Sequence, residues 1–339
     1  MSPLIKTISI LLLTIVLIIS GCVRTSTHEE NVIRIGYLPI THAAPLYFEK
    51  EFEDEYLNGA RIELVRFGSW IELMDALNTG RIDGASVLME LAMKAHEKGI
   101  DLKAVALGHR DGNAVVVGHH INSVQDLSGE TVAIPHTLSA HNILLDEMLQ
   151  NAGINYEDVN VVEMPPPEMP SALSEGRISS YVVAEPFGAL GVTLNTGRVL
   201  FQSEEIRANS LCCVLVLRSD FMERDPDLTE LFVNGYIEAG KKAHDYHVHV
   251  NNVNELETEN GPFTLSLEEI KETHLNYLTI PEEVLALSLS WISYDDLQIR
   301  EEDYEYLRQR VVEMGLSDNP PAYEDFVDQS FFEKRGESY

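Results

Sequence analysis

The sequence predicts an α/β protein of two lobes, each a mostly parallel sheet flanked by helices, with the lobes joined by two crossing strands. Three observations predict it. Short apolar runs alternate with helical stretches along most of the chain, the pattern of parallel strands covered by helices. The segment Ala76-Leu77-Asn78-Thr79-Gly80-Arg81-Ile82-Asp83 recurs as Ala172-Leu173-Ser174-Glu175-Gly176-Arg177-Ile178-Ser179, one helix-to-strand step written twice. Between the copies a fresh α/β series begins, and the chain then returns through an apolar strand at Cys212 to Leu217. The second lobe is therefore read as an insertion entered and left by a strand, and two such crossings make a hinge.

In chain order, Lys6 precedes an apolar stretch from Ile8 to Ile19, followed by Ser20, Gly21 and Cys22. That order is a secretion signal. As a helix the stretch covers roughly 18 Å, short of the roughly 30 Å core that a spanning helix crosses. Ile19-Ser20-Gly21-Cys22 resembles the bacterial lipobox, so residues 1–21 are assigned as a lipoprotein signal peptide, Cys22 as the lipidated first residue of the mature chain, and 22–30 as a polar tether. Ile33 to Tyr37 is the first strand, and Pro45 to Glu53 starts a helix with Pro near its first turn. Ile62 to Phe67 is the next strand. Ile71, Met74 and Leu77 recur at helical spacing, Gly80 supplies the stop, and Ile82 to Leu88 returns as a strand. Glu90 to Lys98 and Leu102 to Leu107 add another helix and strand. After the strand Ala114 to Gly118 come Thr131 to Ile134, a helix from Ser139 to Asn151 ended near Gly153, Val159 to Met164, and Tyr181 to Ala184. The lobes are bounded as 31–116 plus 214–339 and 117–213, with helical patterns at Ile270 to Leu278 and Asp303 to Met314 packing back onto the first lobe.

The composition, 45% hydrophobic and 23% charged, is that of a folded globular chain. A formal charge of −31 opposes long-range attraction to nucleic acid or to an anionic membrane surface, and it opposes capture of an anion as well. Cys22, Cys212 and Cys213 are the three cysteines, too few for a disulfide framework once Cys22 is lipidated. Cys212 and Cys213 are adjacent in a strand-like run, where neighbouring side chains point to opposite faces, and are read as small packing residues. His244, His247 and His249 with Asp245 do not share a helical face and are read as a solvated loop, and no metal ligand set is assigned.

From Ile33 to about Pro226 the chain resembles the substrate-binding proteins of nitrate, sulfonate, taurine and bicarbonate ABC importers, which have the type II periplasmic-binding fold. The stretches that carry the resemblance are IRIGYLPITHAAPLYFEKE, FGSWIELMDALNTGRIDGA, VQDLSGETVAIPHTLSAHNILLDEML, ISSYVVAEPFGAL and NSLCCVLVLRSDFMERDPD, in that order. The resemblance implies an extracytoplasmic protein, lipid-anchored to the cell membrane, that captures a small polar or anionic ligand (bicarbonate, nitrate or an organosulfonate). It implies delivery of that ligand to an ABC permease and its ATPase, with no cofactor and no reaction. A thiamine-precursor pyrimidine is the second ligand class.

Loops after strands in an open α/β sheet face the crevice, and helix N-termini there offer unpaired N–H groups to an anion. Thr41 and His42 sit in such a loop as candidate donors, with helix capping the other role open to Thr41. Ser69 and Trp70 hold the matching place before the next helix, where the resemblance implies that Trp70 lines the site; core packing is the alternative. Thr137 and His141 crowd the start of the helix at Ser139, where related nitrate and bicarbonate binders offer a Thr or His. Glu185 follows an apolar strand and is expected at the cleft, where a carboxylate repels nitrate or a sulfonate but accepts a hydrogen bond from bicarbonate, an amine-bearing ligand or an aminopyrimidine, or faces an intervening bound cation. It pairs instead with an Arg if it lies in the lobe core. Two other classes stay open, an enzyme of the same fold and the sensing module of a receptor. LCCVL falls short of the Cys-rich motif of the pyrimidine-precursor synthases, and a receptor needs a further apolar span that the sequence lacks.

Overall fold

The computed structural model describes residues 32–251 and 267–334, so the signal peptide, Cys22 and the tether lie outside the described residues. Two five-stranded sheets form the framework. The first contains β1 (Val32–Tyr37), β2 (Arg61–Arg66), β3 (Gly84–Leu88), β4 (Leu102–Leu107) and, much later in the chain, β11 (Cys213–Arg218). After a short β5 (Arg110–Asp111), the second sheet takes β6 (Asn113–Val117), β7 (Thr131–Ile134), β8 (Asn160–Glu163), β9 (Ser180–Ala184) and β10 (Arg198–Gln202). The longer helices between and after the strands are α1 (Ala44–Glu51), α2 (Trp70–Asn78), α3 (Met89–Glu97), α4 (Ala140–Asn151), α5 (Met169–Ser174), α6 (Phe187–Thr193), α7 (Pro226–Asn251), α8 (Leu267–Tyr277), α9 (Glu282–Leu289) and α10 (Glu301–Glu313).

The strand orders are β2-β1-β3-β11-β4 and β10-β6-β9-β7-β8. Read from β8, the second order repeats the first, with β6 standing where β11 stands. β1 pairs parallel with β3, and β7 pairs parallel with both β8 and β9. β11 runs antiparallel to β3 and β4, and β6 antiparallel to β9 and β10. Each sheet thus carries one reversed strand, and in each it is the strand by which the chain arrives from the other sheet. β3, β6 and β9 are buried along their whole length, as strands with both faces covered must be.

The repeated segment occupies matching places, the turn from α2 towards β3 and the turn from α5 towards β9. In the first, the Arg81 N–H donates to the Ala76 carbonyl (2.9 Å) and the Gly80 N–H to that of Leu77 (3.1 Å). In the second, Arg177 donates to Ala172 (2.9 Å) and Gly176 to Leu173 (3.0 Å). These are the two bonds of a Schellman C-cap, and Gly80 and Gly176 both stand at φ +69°, a backbone region that a Cβ disfavours.

Several sequence expectations need correcting. The strand Asn113–Val117, divided at residue 116, lies wholly in the second sheet, and Cys213, placed in the second lobe, opens β11 of the first. On α2 the buried face is Trp70, Leu73, Met74, Ala76 and Leu77, so Met74 and Leu77 lie inward as the apolar spacing predicts, whereas Ile71 is 64% exposed and Trp70 takes the first inward place. His244 to His249, read as a loop, continue the helix α7, which packs along α1 of the first lobe. The C-terminal segment does not keep to the first lobe. α9 packs on α6 beside the second sheet, Arg310 of α10 ion-pairs with Asp146 of α4 at 2.5 Å, and Ile292–Ser293 pairs with β5 at the crossing.

Because a Cβ at Gly176 meets no atom within 4 Å, its replacement tests backbone conformation alone. Gly176→Ala is expected to lower the unfolding free energy by about 1–2 kcal/mol, the cost of an L-residue in the left-handed region, as read from urea unfolding.

Candidate functional site

Four segments meet where the first sheet hands the chain to the second: the loop after β1, the crossing at 108–112, the N-terminus of α4, and the return crossing that ends at Cys212. Close approach of backbones sets the junction. A Cβ on Gly108 would stand 2.6 Å from the His42 carbonyl, so glycine lets the outgoing crossing lie against the loop. Thr41 ties the loop to the far side, its amide and its hydroxyl each donating to the Glu185 carbonyl at 3.0 Å. Tyr294 donates to the Thr41 carbonyl at 2.8 Å, which brings the C-terminal segment to the same point.

Behind Thr41 lies a buried cluster of two imidazoles and two thiols. His42 Nε2 donates to the Gly112 carbonyl at 2.8 Å, because a carbonyl can only accept. That bond leaves the lone pair on Nδ1, which faces Cys213 Sγ at 3.5 Å and Cys212 Sγ at 3.7 Å. The two sulfurs are 3.9 Å apart. The His109 ring lies against His42 with centroids 3.5 Å apart, and its Nε2 accepts from the Cys213 amide at 3.4 Å. One ligand atom from each of His42, His109, Cys212 and Cys213 falls within 4.8 Å of all the others, and all four residues are buried. His141, the second residue of α4, approaches His42 and His109 from the second lobe, fully buried with neither ring nitrogen hydrogen-bonded. His109 Nδ1 and Asn113 Nδ2 are likewise buried without a partner.

The electrostatics follow from desolvation. Burial, with the neighbouring His42, holds the His141 imidazole down to about pKa 3. His109 is pushed well below its ordinary value by burial and then by His42, while burial and the adjacent Cys213 raise the Cys212 thiol. All these groups are therefore uncharged in the chain by itself, as a sealed apolar surround requires.

Of the residues singled out from sequence, Thr41, His42 and His141 come together here, and Glu185 contributes its backbone carbonyl. The Glu185 carboxyl turns away from the cluster. One oxygen accepts from the Ala189 N–H in the first turn of α6 at 3.0 Å, and burial pushes the group up to about pKa 8 against that hydrogen bond. Ser69 caps α2 by accepting from the Glu72 amide at 3.3 Å. Thr137 is exposed and bound through its amide and hydroxyl to Glu163, at 2.5 Å each. Trp70, buried at the first position of α2 with its indole N–H unpaired, makes none of the cluster contacts. A cavity of about 310 Å³ at the seam of the two lobes is walled by Ile40, Arg66 and Phe67 on one side and by Pro166, Pro167 and Phe187 on the other, and Trp70 is not among its lining residues.

Sequence reasoning missed His109, Asn113 and the two cysteines. Cys212 was placed inside a strand, where Cys213 would point the other way, but the strand begins at Cys213 and both sulfurs reach the same imidazole. The available signal was positional: His42, His109 and the cysteine pair each stand at the end of a predicted apolar run, where side chains face a crevice.

Two sheets of one strand order, two crossings and a polar junction between them define the class as the two-lobed type II periplasmic-binding fold. The NMT1-like family matches residues 26–253, and the chain belongs to that family. The ligand-binding component of an ABC-type import system from Staphylococcus aureus, solved with zinc bound, is 38% identical with a TM-score of 0.80, over 91% of this chain and 100% of that one. The nitrate import ATP-binding protein NrtC of Synechocystis is 27% identical, over 64% of this chain and 36% of its own length. The taurine-binding periplasmic protein of Escherichia coli is 29% identical over 54% and 57%. The chain thus spans about a third of the length of the first of these two relatives and somewhat more than half of the second.

Glu185 gives a pH dependence with a definite sign. Its folded pKa of about 8 lies above that of an unfolded glutamate, so stability falls as pH rises from about 4.3 towards 8, while the unfolded chain ionises and the folded one does not. Glu90, raised to about 8, and Glu49, also raised, add to the same slope. Glu185→Gln is expected to reduce, without abolishing, the drop in urea midpoint between pH 5 and pH 8.

Proposed function

We propose that this chain is the solute-binding component of an ABC-type importer. It encloses a small polar or ionic solute where its two lobes meet and presents it to a permease and its ATPase. The observation that carries this reading is the set of buried polar groups at the junction with no partner inside the protein: both His141 nitrogens, His109 Nδ1 and Asn113 Nδ2. A finished core pairs nearly all such groups, because a buried unmade hydrogen bond costs about 1–3 kcal/mol. A ligand admitted between parted lobes supplies what they lack, and contacts made from both sides favour the closed arrangement.

The lobes of this proposal are β1 to β4 with β11, and β6 to β10. The crossings near 108–112 and before Cys213 act as the hinge. Relatives named for nitrate and taurine support a small anion as one solute class, and the Staphylococcus aureus relative with zinc supports an ion of the opposite charge. The proposal includes export and anchoring through Cys22, supported by the order of Lys6, the apolar stretch and Ser20-Gly21-Cys22.

Thermal-shift screening of bicarbonate, nitrate, taurine, alkanesulfonates, hydroxymethylpyrimidine and divalent metal ions tests the reading. A bound solute at a hundred times its Kd is expected to stabilise the fold by about 2.7 kcal/mol, with the shift diminished in His141→Ala. No saturable shift with any of them would discard it. Anchoring is checked separately: cells expressing the chain are expected to incorporate labelled palmitate into it, and Cys22→Ala to lose the label and leave the membrane fraction.

A further inference from the structure

We propose that His42, His109, Cys212 and Cys213 form a four-coordinate site for a zinc-class divalent ion, and that this ion is the solute which lobe closure encloses. This rests on the solute-binding reading and names its ligand. The donor set is the first argument. Two thiols and two imidazoles are soft to intermediate ligands that suit zinc and its neighbours, whereas magnesium and calcium take oxygen.

Spacing is the second. A tetrahedral ion with bonds of about 2.3 Å to sulfur and 2.0 Å to nitrogen separates its two sulfurs by roughly 3.8 Å, and each sulfur from a nitrogen by roughly 3.5 Å. Here the sulfurs are 3.9 Å apart and His42 Nδ1 stands 3.5 and 3.7 Å from them. One imidazole donor is already oriented. With Nε2–H held by the Gly112 carbonyl, His42 presents Nδ1 as a lone pair, the outer hydrogen bond that fixes the tautomer of a metal-binding histidine.

Charge supplies the next step. Two thiolates and two neutral imidazoles around a divalent cation sum to zero, and a fully buried site tolerates a neutral assembly where it would expel a net charge. The thiol protons leave to solvent as the ion enters. Outside, a chain of formal charge −31 draws cations towards the cleft and opposes anions.

Placement links the ion to closure. His42 belongs to the first lobe, His109 to the outgoing crossing, and Cys212 and Cys213 to the return crossing and its strand, so the open protein already holds the four ligands, with His109 Nε2 exchanging its long 3.4 Å contact with the Cys213 amide for the ion. His141 comes from the second lobe, with both ring nitrogens unpaired beside His42. Closing the lobes over the ion sets this unpaired imidazole beside His42, an interaction available only in the closed arrangement and hence the differential affinity that closure needs.

The test uses the full chain, reduced and stripped of metal with a chelator, titrated with Co²⁺ and then Zn²⁺. One equivalent of Co²⁺ is expected to give tetrahedral visible bands and a thiolate-to-cobalt charge-transfer band, both erased by Zn²⁺. Cys212→Ser and Cys213→Ser should each weaken the charge-transfer band by about half and lower zinc affinity at least a hundredfold, with circular dichroism confirming that the variants fold. Zn²⁺ should shrink the radius of gyration in small-angle scattering, and His141→Ala should keep the cobalt bands while losing that compaction. Absence of the charge-transfer band in the reduced parent chain, or unchanged zinc affinity in the double serine variant, overturns the site. Metal bound with the thiolate signature but without compaction overturns its role as enclosed solute. A chain that ignores metals but is stabilised by nitrate or taurine overturns this inference and leaves the solute-binding reading intact.

Discussion

One hydrogen bond organises the junction, the 2.8 Å contact from His42 Nε2 to the carbonyl of Gly112. It joins the loop after the first strand to the outgoing crossing, and by holding the proton on Nε2 it turns the Nδ1 lone pair towards both cysteine sulfurs. The glycine at 108 allows the loop and crossing to approach closely enough for it to form. Thr41, one residue earlier, then lies where both its amide and its hydroxyl reach the Glu185 carbonyl across the seam. The packing of His109 against His42 depends on the same placement.

The junction is held at a cost in stability. Uncharged imidazoles, a raised thiol and unpaired polar atoms sit there without solvent, and elsewhere in the core the carboxyl groups of Glu49 and Glu90 are buried with no hydrogen-bond partner. Large apolar clusters around both sheets offset this, since β3, β6 and β9 bury every side chain they carry. At the junction the unpartnered groups come together from the second lobe and from the outgoing crossing, which distinguishes them from Glu49 and Glu90 in the core. The same logic separates the seven residues proposed from sequence. Ser69 has found its partner in the cap of α2 and Thr137 in the Glu163 carboxylate at the end of β8, whereas His141 has none.

Duplication gives the junction its form. One helix-to-strand step, closed by the same pair of C-cap bonds at Gly80 and Gly176, leads into β3 and β9, the central strands of the two sheets. Each sheet then admits one antiparallel strand from the other, β11 or β6, so that two covalent crossings run side by side through the centre. Residues on both crossings face the same small volume. The C-terminal helices brace both halves, α7 along α1 and α9 along α6, with Arg310 reaching Asp146 on α4.

The amino-acid sequence by itself determined the elements and their doubling. Leu102–Leu107 and Thr131–Ile134 are strands as the apolar runs predict, Ser139 caps the helix it precedes, and the echo at Ala76 and Ala172 marks equivalent turns. Such features are local, because a run of β-branched residues or a capping hydroxyl acts on neighbours within a few positions. Which side chains meet was decided by the tertiary structure. His42, His109 and Cys212 are far apart in the chain, and periodicity carries no information about where three strand ends converge. The direction of the Glu185 carboxyl, the exposure of Ile71 and the shared orientation of adjacent cysteines each turn on a single residue of register or on a strand that starts one position late. Packing of distant segments sets those details, and local propensity is blind to it.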